Sequence, residues 1–104
     1  MKTHDILQQI SKALHKVHGE RLKSVILYGS EARGESTENS DIDVLVLLEE
    51  PIRYGEDLET NLEALYPLSL KLARRISAKP VSDKEYRTRD CPLYRHAKKE
   101  GVAA

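Results

Sequence analysis

Apolar residues recur near the start of the chain at the spacing of an amphipathic helix. Ile6, Ile10, Leu14 and Val17 form one stripe, Leu7 and Ala13 flank it, and Gly19 stands where a helix commonly ends. The pattern predicts a first helix over 4–18. Residues 23–28 (Lys-Ser-Val-Ile-Leu-Tyr) are short, β-branched and apolar in their second half, then stop at Gly29-Ser30, which predicts a buried strand running into a tight turn. Residues 31–34 read as a helical turn, and 34–40, all polar, as a loop. The strongest strand signal spans 40–48 and ends at Glu49-Glu50-Pro51. From 55 to 73, Leu58, Leu62, Leu65 and Leu72 predict a second helix with a core-facing stripe, in which Pro67 must introduce a kink or open a separate helix. Residues 74–81 are a weaker strand candidate, and Pro80, which has no N–H for a central ladder, places it at a sheet edge or a strand end. Ser82-Asp83-Lys84-Glu85 has the form of a capping box, with Ser82 as N-cap and Glu85 reaching back to its amide. A last helix over 92–99 is closed by Gly101.

The order helix, strand, helical turn, strand, helix, strand, helix, with no repeat or linker, predicts an α/β or α+β fold in a single domain over 1–104. A chain of 104 residues supports one core. The longest aliphatic run, Val44 to Leu48, is far short of the ~20 residues of a membrane-crossing helix, and no signal-like segment follows Met1. A single cysteine, Cys91, excludes an internal disulfide and is read as a packing position. These features predict a cytoplasmic protein without a membrane partner. His15 and His18, three apart with no acid or cysteine near them in sequence, are read as a solvated helix face rather than a zinc site.

Net charge is zero, with 17 basic and 17 acidic residues, but the charges are segregated. Residues 1–30 carry five Lys or Arg against two Asp or Glu, 31–63 carry two against eleven, 64–83 four against one, and 84–104 six against three. An acidic middle between basic flanks suits a divalent cation with an anionic ligand, or a basic protein partner, better than a continuous face for duplex DNA. The segment with Tyr86, Arg87, Arg89, Tyr94, Arg95, Lys98 and Lys99 interleaves aromatic and basic residues, as an RNA-binding surface does, but a short amphipathic helix capping the sheet is the favoured reading over a nucleic-acid partner.

Chemistry concentrates in two places. At Gly29-Ser30 a glycine allows an anion close to the backbone, a hydroxyl can bond a phosphate oxygen, and the free amides of a starting helix favour negative charge. Eleven residues after Ser30 comes Asp41-Ile42-Asp43. With a side-chain period of two, Asp41 and Asp43 share one face of a strand, about 7 Å apart at Cα, while Ile42 and Val44 point into the core. Two like charges there call for a hard cation.

Gly29-Ser30-Glu31-Ala32-Arg33-Gly34, a polar spacer, and Ser40-Asp41-Ile42-Asp43-Val44-Leu45-Val46 closely resemble the signature of the minimal nucleotidyltransferases of the DNA polymerase beta-like superfamily. The resemblance implies a small mixed sheet with helices mainly on one face and a Mg²⁺-dependent transfer of a nucleoside monophosphate from a nucleoside triphosphate such as ATP. Carried onto this chain, Gly29 and Ser30 hold the triphosphate, and Asp41 and Asp43 are the catalytic pair and the ligands of Mg²⁺. Arg33 either contacts phosphate or pairs with neighbouring acids to fix the turn. Members with full activity usually add a third carboxylate from the next strand; over 74–81 there is no acid, and alternation puts Ser77 in that place. The resemblance further implies a helical HEPN-domain partner, often a ribonuclease toxin, whose tyrosine receives AMP from the antitoxin, in a homo- or hetero-oligomer. Two readings follow: a protein adenylyltransferase, or a degenerate module that binds nucleotide or neutralises its partner by contact.

Overall fold

The computed structural model describes residues 2–37 and 39–104, so Met1 and the Glu38 position of the polar loop lie outside the described residues. Helix α1 (Thr3–His18) runs through a 3-10 turn, Gly19–Arg21, into strand β1 (Leu22–Tyr28). A single helical turn, α2 (Ser30–Arg33), and the polar loop lead to β2 (Ile42–Leu48). Helix α3 (Tyr54–Leu72), strand β3 (Ile76–Ser82), helices α4 (Asp83–Thr88) and α5 (Pro92–Glu100) and a short strand β4 (Val102–Ala103) complete the described fold.

The four strands form one mixed sheet in the order β3-β2-β1-β4. β1 is antiparallel to β2 and β4, and β2 is parallel to β3. Alternation divides the side chains between two cores. Val25, Leu27, Ile42, Val44, Val46, Leu48, Ile76 and Ala78 pack under α1 and α3. Ile26, Leu45, Leu47 and Val81 pack with Tyr86 of α4 and Ala97 of α5 on the other face. The apolar run in β2 is continuous because both of its faces are covered, as expected of a central strand with a parallel neighbour. The two long helices cover one face of the sheet, and the short α4 and α5 reach the other. No described helix is long and apolar enough to cross a membrane.

Several expectations change on contact with the structure. In α1 the inward residue of the last turn is His18, not Val17, which is 46% exposed. His18 therefore does not lie on a solvated face: its Nε2 donates to Asn61 Oδ1 at 2.6 Å, and Asn61 Nδ2 donates to the Ala78 carbonyl at 3.0 Å. Because the Asn61 amide nitrogen serves Ala78, its oxygen is the acceptor and the shared proton belongs to His18. Helix α3 passes through Pro67 as one element, with Pro67 on its exposed side. Its inward face is Asp57, Asn61, Leu65 and Leu68, two of them polar, whereas Leu62 of the expected stripe is 48% exposed. Asp57 is buried against Arg21, whose Nη1 lies 3.1 Å from Asp57 Oδ1. Only half of the capping box forms: Ser82 Oγ accepts from the Glu85 amide at 3.1 Å, while the Glu85 carboxylate turns to Arg89. The C-terminal aromatic residues cap the sheet, with Tyr86 and Tyr94 edge to face at 5.4 Å and Lys98 Nζ 5.0 Å from the Tyr86 ring centre.

Gly101 does not end α5 in a left-handed turn; its φ is −74°. A side chain there would meet Ala97 O at 2.2 Å and Ile26 Cγ2 at 2.6 Å, so glycine lets the chain pass close over β1 and add β4. This two-residue strand was too short for periodicity to reveal.

The Asn61 bridge joins α1, α3 and β3 through buried polar groups. Asn61→Ala leaves the His18 N–H and the Ala78 carbonyl without their partner, at about 1–3 kcal/mol each. Urea denaturation should show a loss of roughly 2–4 kcal/mol; a loss below about 0.5 kcal/mol, the range of neutral surface changes, would show that water replaces the bridge.

Candidate active site

Strand β1 ends at Gly29, whose backbone (φ 78°, ψ −155°) belongs to a region open essentially to glycine. Space makes the same demand. A Cβ at residue 29 would stand 2.9 Å from Asp43 Oδ2, so the turn and the carboxylate abut. Ser30 opens α2 immediately, and the first amides of such a turn have no helical partner of their own. The turn is closed behind them by Arg33 N–H to Gly29 O at 3.2 Å and Glu35 N–H to Ser30 O at 2.9 Å, with Gly34 left-handed at φ 73°.

Register aligns three strands at this point. Tyr28 of β1 pairs with Asp43 of β2, and Asp43 with Ser77 of β3. The next row is Ile26, Leu45 and Lys79. Asp41 lies one residue before β2 and is exposed, while Asp43 is partly buried. Burial pushes the Asp43 carboxyl above its ordinary value, the neighbouring Asp41 charge raises it further, and Lys79 partly offsets both. The Tyr28 phenol is also raised, by burial first and then by Asp43 and Tyr54. A partly buried carboxylate set against a glycine turn, with a second carboxylate disfavouring its charge, suits a hard divalent cation chemically. No cluster of three or more His, Cys, Asp or Glu in ligating arrangement occurs among the described residues.

Of the two roles open to Arg33, the structure displays pairing with acids. Its Nε lies 3.0 Å from Glu35 Oε2 and its Nη1 3.1 Å from Glu100 Oε2, which ties the turn to the end of α5. Ser77 lies where alternation put it, directly opposite Asp43.

One group was invisible to sequence reasoning. Glu31, next to Ser30, is 6% exposed. Its carboxylate accepts from Thr3 Oγ1 of α1 and from Ser36 Oγ at 2.8 Å, and it pairs with Arg74 Nη1 at 2.7 Å. Arg74 Nε donates to the Ser40 carbonyl, adjacent to Asp41, at 2.8 Å. One buried ion pair thus pins the start of α1, the glycine turn, both ends of the polar loop and the turn between α3 and β3. Burial opposes ionisation of Glu31, but the hydrogen bonds from Thr3, Arg74 and Ser36 outweigh it and hold its pKa below the ordinary value. Arg74 Nη2 is buried with no hydrogen-bond partner among the described residues. The only hint in the sequence was an arginine at the mouth of β3, which periodicity does not interpret.

A cavity of about 610 Å³ lies along β3 from Lys79 onward, lined among others by Tyr54, Lys79, Val81, Leu93 and Tyr94.

The family model described as a nucleotidyltransferase domain matches residues 7–101. The chain belongs to that family. Among its relatives, a Methanocaldococcus jannaschii protein named "Putative protein adenylyltransferase MJ0604" is 38% identical over 66 residues, which cover 64% of this chain and 66% of that protein. A second from the same organism, with the same name but for its number, MJ0141, is 40% identical over 50 residues, covering 48% of this chain and 50% of its own. The matched stretch is thus under two thirds of either relative's length. Among solved structures, one described as a toxin-antitoxin with AMP-PNP superposes with a TM-score of 0.65 at 23% identity, over 92% of this chain and 69% of that one. Another, described as a "putative minimal nucleotidyltransferase", gives 0.61 at 25% identity, over 98% and 95%. The expected fold of the nucleotidyltransferase domain is therefore the observed one.

Two outcomes follow from the charges around the glycine turn of this nucleotidyltransferase domain. Arg74→Met strands the Glu31 carboxylate in the interior and should cost about 3–5 kcal/mol in chemical denaturation at neutral pH, with Glu31→Gln/Arg74→Met recovering part of it. The stabilisation by Glu31 is complete above the ordinary glutamate value of 4.5 and is lost as pH falls through its lower folded value, so the Arg74→Met deficit should shrink in acid. Asp43 has the opposite sign. Its folded pKa lies above the ordinary 3.8, so its charge disfavours the metal-free fold at neutral pH. Asp43→Asn should raise the melting temperature in chelator at pH 7, with a gain that fades as pH falls toward 3.8; an unchanged or lower melting temperature would contradict the electrostatic account.

Proposed function

We propose that residues 1–104 act as one nucleotidyltransferase unit that moves AMP from Mg-ATP to a hydroxyl of a partner protein, as the antitoxin of a toxin-antitoxin pair whose toxin is a HEPN-domain protein. The observation that carries the reading is the contact between the glycine turn and the acid pair: a Cβ at Gly29 would stand 2.9 Å from Asp43 Oδ2, with Asp41 alongside. Triphosphate held on the turn is thereby held against the carboxylates. The names borne by the relatives supply the acceptor class and the toxin-antitoxin setting.

In this reading Gly29 lets the phosphates approach the backbone, and Ser30 and the first amides of α2 bond their oxygens. Asp41 and Asp43 would hold Mg²⁺, which neutralises phosphate charge and assists departure of pyrophosphate. Arg33 acts on the turn through Glu35 and Glu100. The acceptor oxygen forms a bond to the α-phosphorus, the bond from that phosphorus to the β-phosphate bridging oxygen breaks, pyrophosphate leaves, and the hydroxyl proton passes to water. A protein acceptor is favoured over nucleic acid because Tyr86 and Tyr94, in the basic C-terminal segment, are turned onto the sheet rather than outward. The setting is cytoplasmic, where ATP is abundant.

Ser77 opposite Asp43 favours a second reading, a module that binds nucleotide and neutralises its partner by contact without turnover. Intact mass of a co-expressed or neighbouring-gene partner, after incubation with this protein, Mg²⁺ and each of the four NTPs, separates the two. A gain of one or more AMP masses, absent with Asp41→Asn/Asp43→Asn, is the expected result. A stable complex with no mass gain would establish the contact module instead.

A further inference from the structure

The open face presents an unbalanced set of charges. Asp41 and Asp43 supply two carboxylates, and the position opposite Asp43 on β3 is a hydroxyl, that of Ser77. Two carboxylates are neutralised by one divalent ion. A second ion of the same charge would need further anionic ligands from the chain, and no cluster of three candidate ligands exists among the described residues. A nucleoside triphosphate brings several negative charges of its own, so a site with one cation is short of positive charge.

Lys79 stands where that charge is needed. Alternation along β3 buries Ile76 and Ala78 and turns Ser77 and Lys79 to the open face. Lys79 pairs with Leu45, one row beyond Asp43. It is exposed, makes no ion pair among the described residues, and lines the cavity that also contains Tyr54 and Tyr94. An ammonium on a four-carbon stem is a mobile point charge suited to phosphate oxygens whose position shifts during transfer. Arg33, the basic residue of the turn itself, is held by Glu35 and Glu100.

We propose that Asp41 and Asp43 hold a single divalent cation with the nucleotide, and that the Lys79 ammonium contacts the phosphates in place of a second one. The inference rests on the nucleotidyl-transfer reading of the site and specifies how it is charged. Lys79 is then a nucleotide-binding residue supplied by the strand that lacks the third acid.

The test titrates Mn²⁺, followed by its electron paramagnetic resonance, into the full chain with AMP-PNP, and measures AMP-PNP affinity by calorimetry in parallel. One tightly bound Mn²⁺ per protein–nucleotide complex is expected for the wild type and for Lys79→Met, and two for Ser77→Asp. Lys79→Met should weaken AMP-PNP binding about tenfold, the scale of one charge-assisted hydrogen bond, and Lys79→Arg should restore most of it. Two ions in the wild type, a single ion in Ser77→Asp, or unchanged affinity in Lys79→Met would overturn the proposal while leaving nucleotidyl transfer standing. No AMP-PNP binding by the wild type in Mn²⁺ would overturn both.

Discussion

Strand β2 is apolar on both faces from Val44 to Leu48, and its burial between two layers of side chains dictates where the charges at its head can go. No carboxylate fits further along it, because every later position is buried against α1 and α3 or against α4 and α5. The acids are confined to the head of the strand, where Asp43 is partly buried and Asp41 is exposed. The neighbouring strands then have little choice. β1 must end beside Asp43, and it can turn there only with a residue that has no β-carbon. The face that carries these acids is therefore a by-product of a well-buried strand, and its position is as secure as the core.

The central part of this arrangement was legible in the sequence because short-range rules govern it. Alternation placed Asp43 and Ile42 on opposite faces and set Ser77 level with the acids, the apolar run of β1 stopped at Gly29, and the mixed sheet was what the family resemblance implied. What escaped depends on contacts between distant segments. His18 turns inward because Asn61 offers it a partner forty-three residues away, and hydropathy ranks both residues as surface. The Glu31–Arg74 pair has the same character. Leu62 faced outward for the complementary reason: α3 fills its inner face with Asp57 and Asn61, held by Arg21 and His18, which leaves less of that face for leucines. β4 is defined by the sharp passage of Gly101 over Ile26 rather than by any pattern of its own.

The ionic interactions of the site pull in two directions. Glu31 and Arg74 are both desolvated and must compensate each other, yet one guanidinium nitrogen has no partner among the described residues, a buried donor that costs about 1–3 kcal/mol. Asp41 and Asp43 repel each other in the absence of a ligand. A fold selected for stability alone would keep neither feature. Together they mark the region between α1, the glycine turn and the head of β2 as a place where stability is exchanged for a fixed geometry, as is common where chemistry is done.

The placement of Lys79 and Pro80 on β3 bears on how the molecule meets others. β3 is the outer strand of the sheet beside Asp43, and an exposed outer strand invites another chain to pair with it. Proline has no N–H to offer such a strand, and a lysine charge is difficult to bury in a sheet-to-sheet junction. Both residues oppose strand addition at this margin, while Ser77 and Lys79 keep access to solvent. A large molecule can approach laterally over this margin and reach the row of Asp43 and Ser77 without displacing any backbone hydrogen bond.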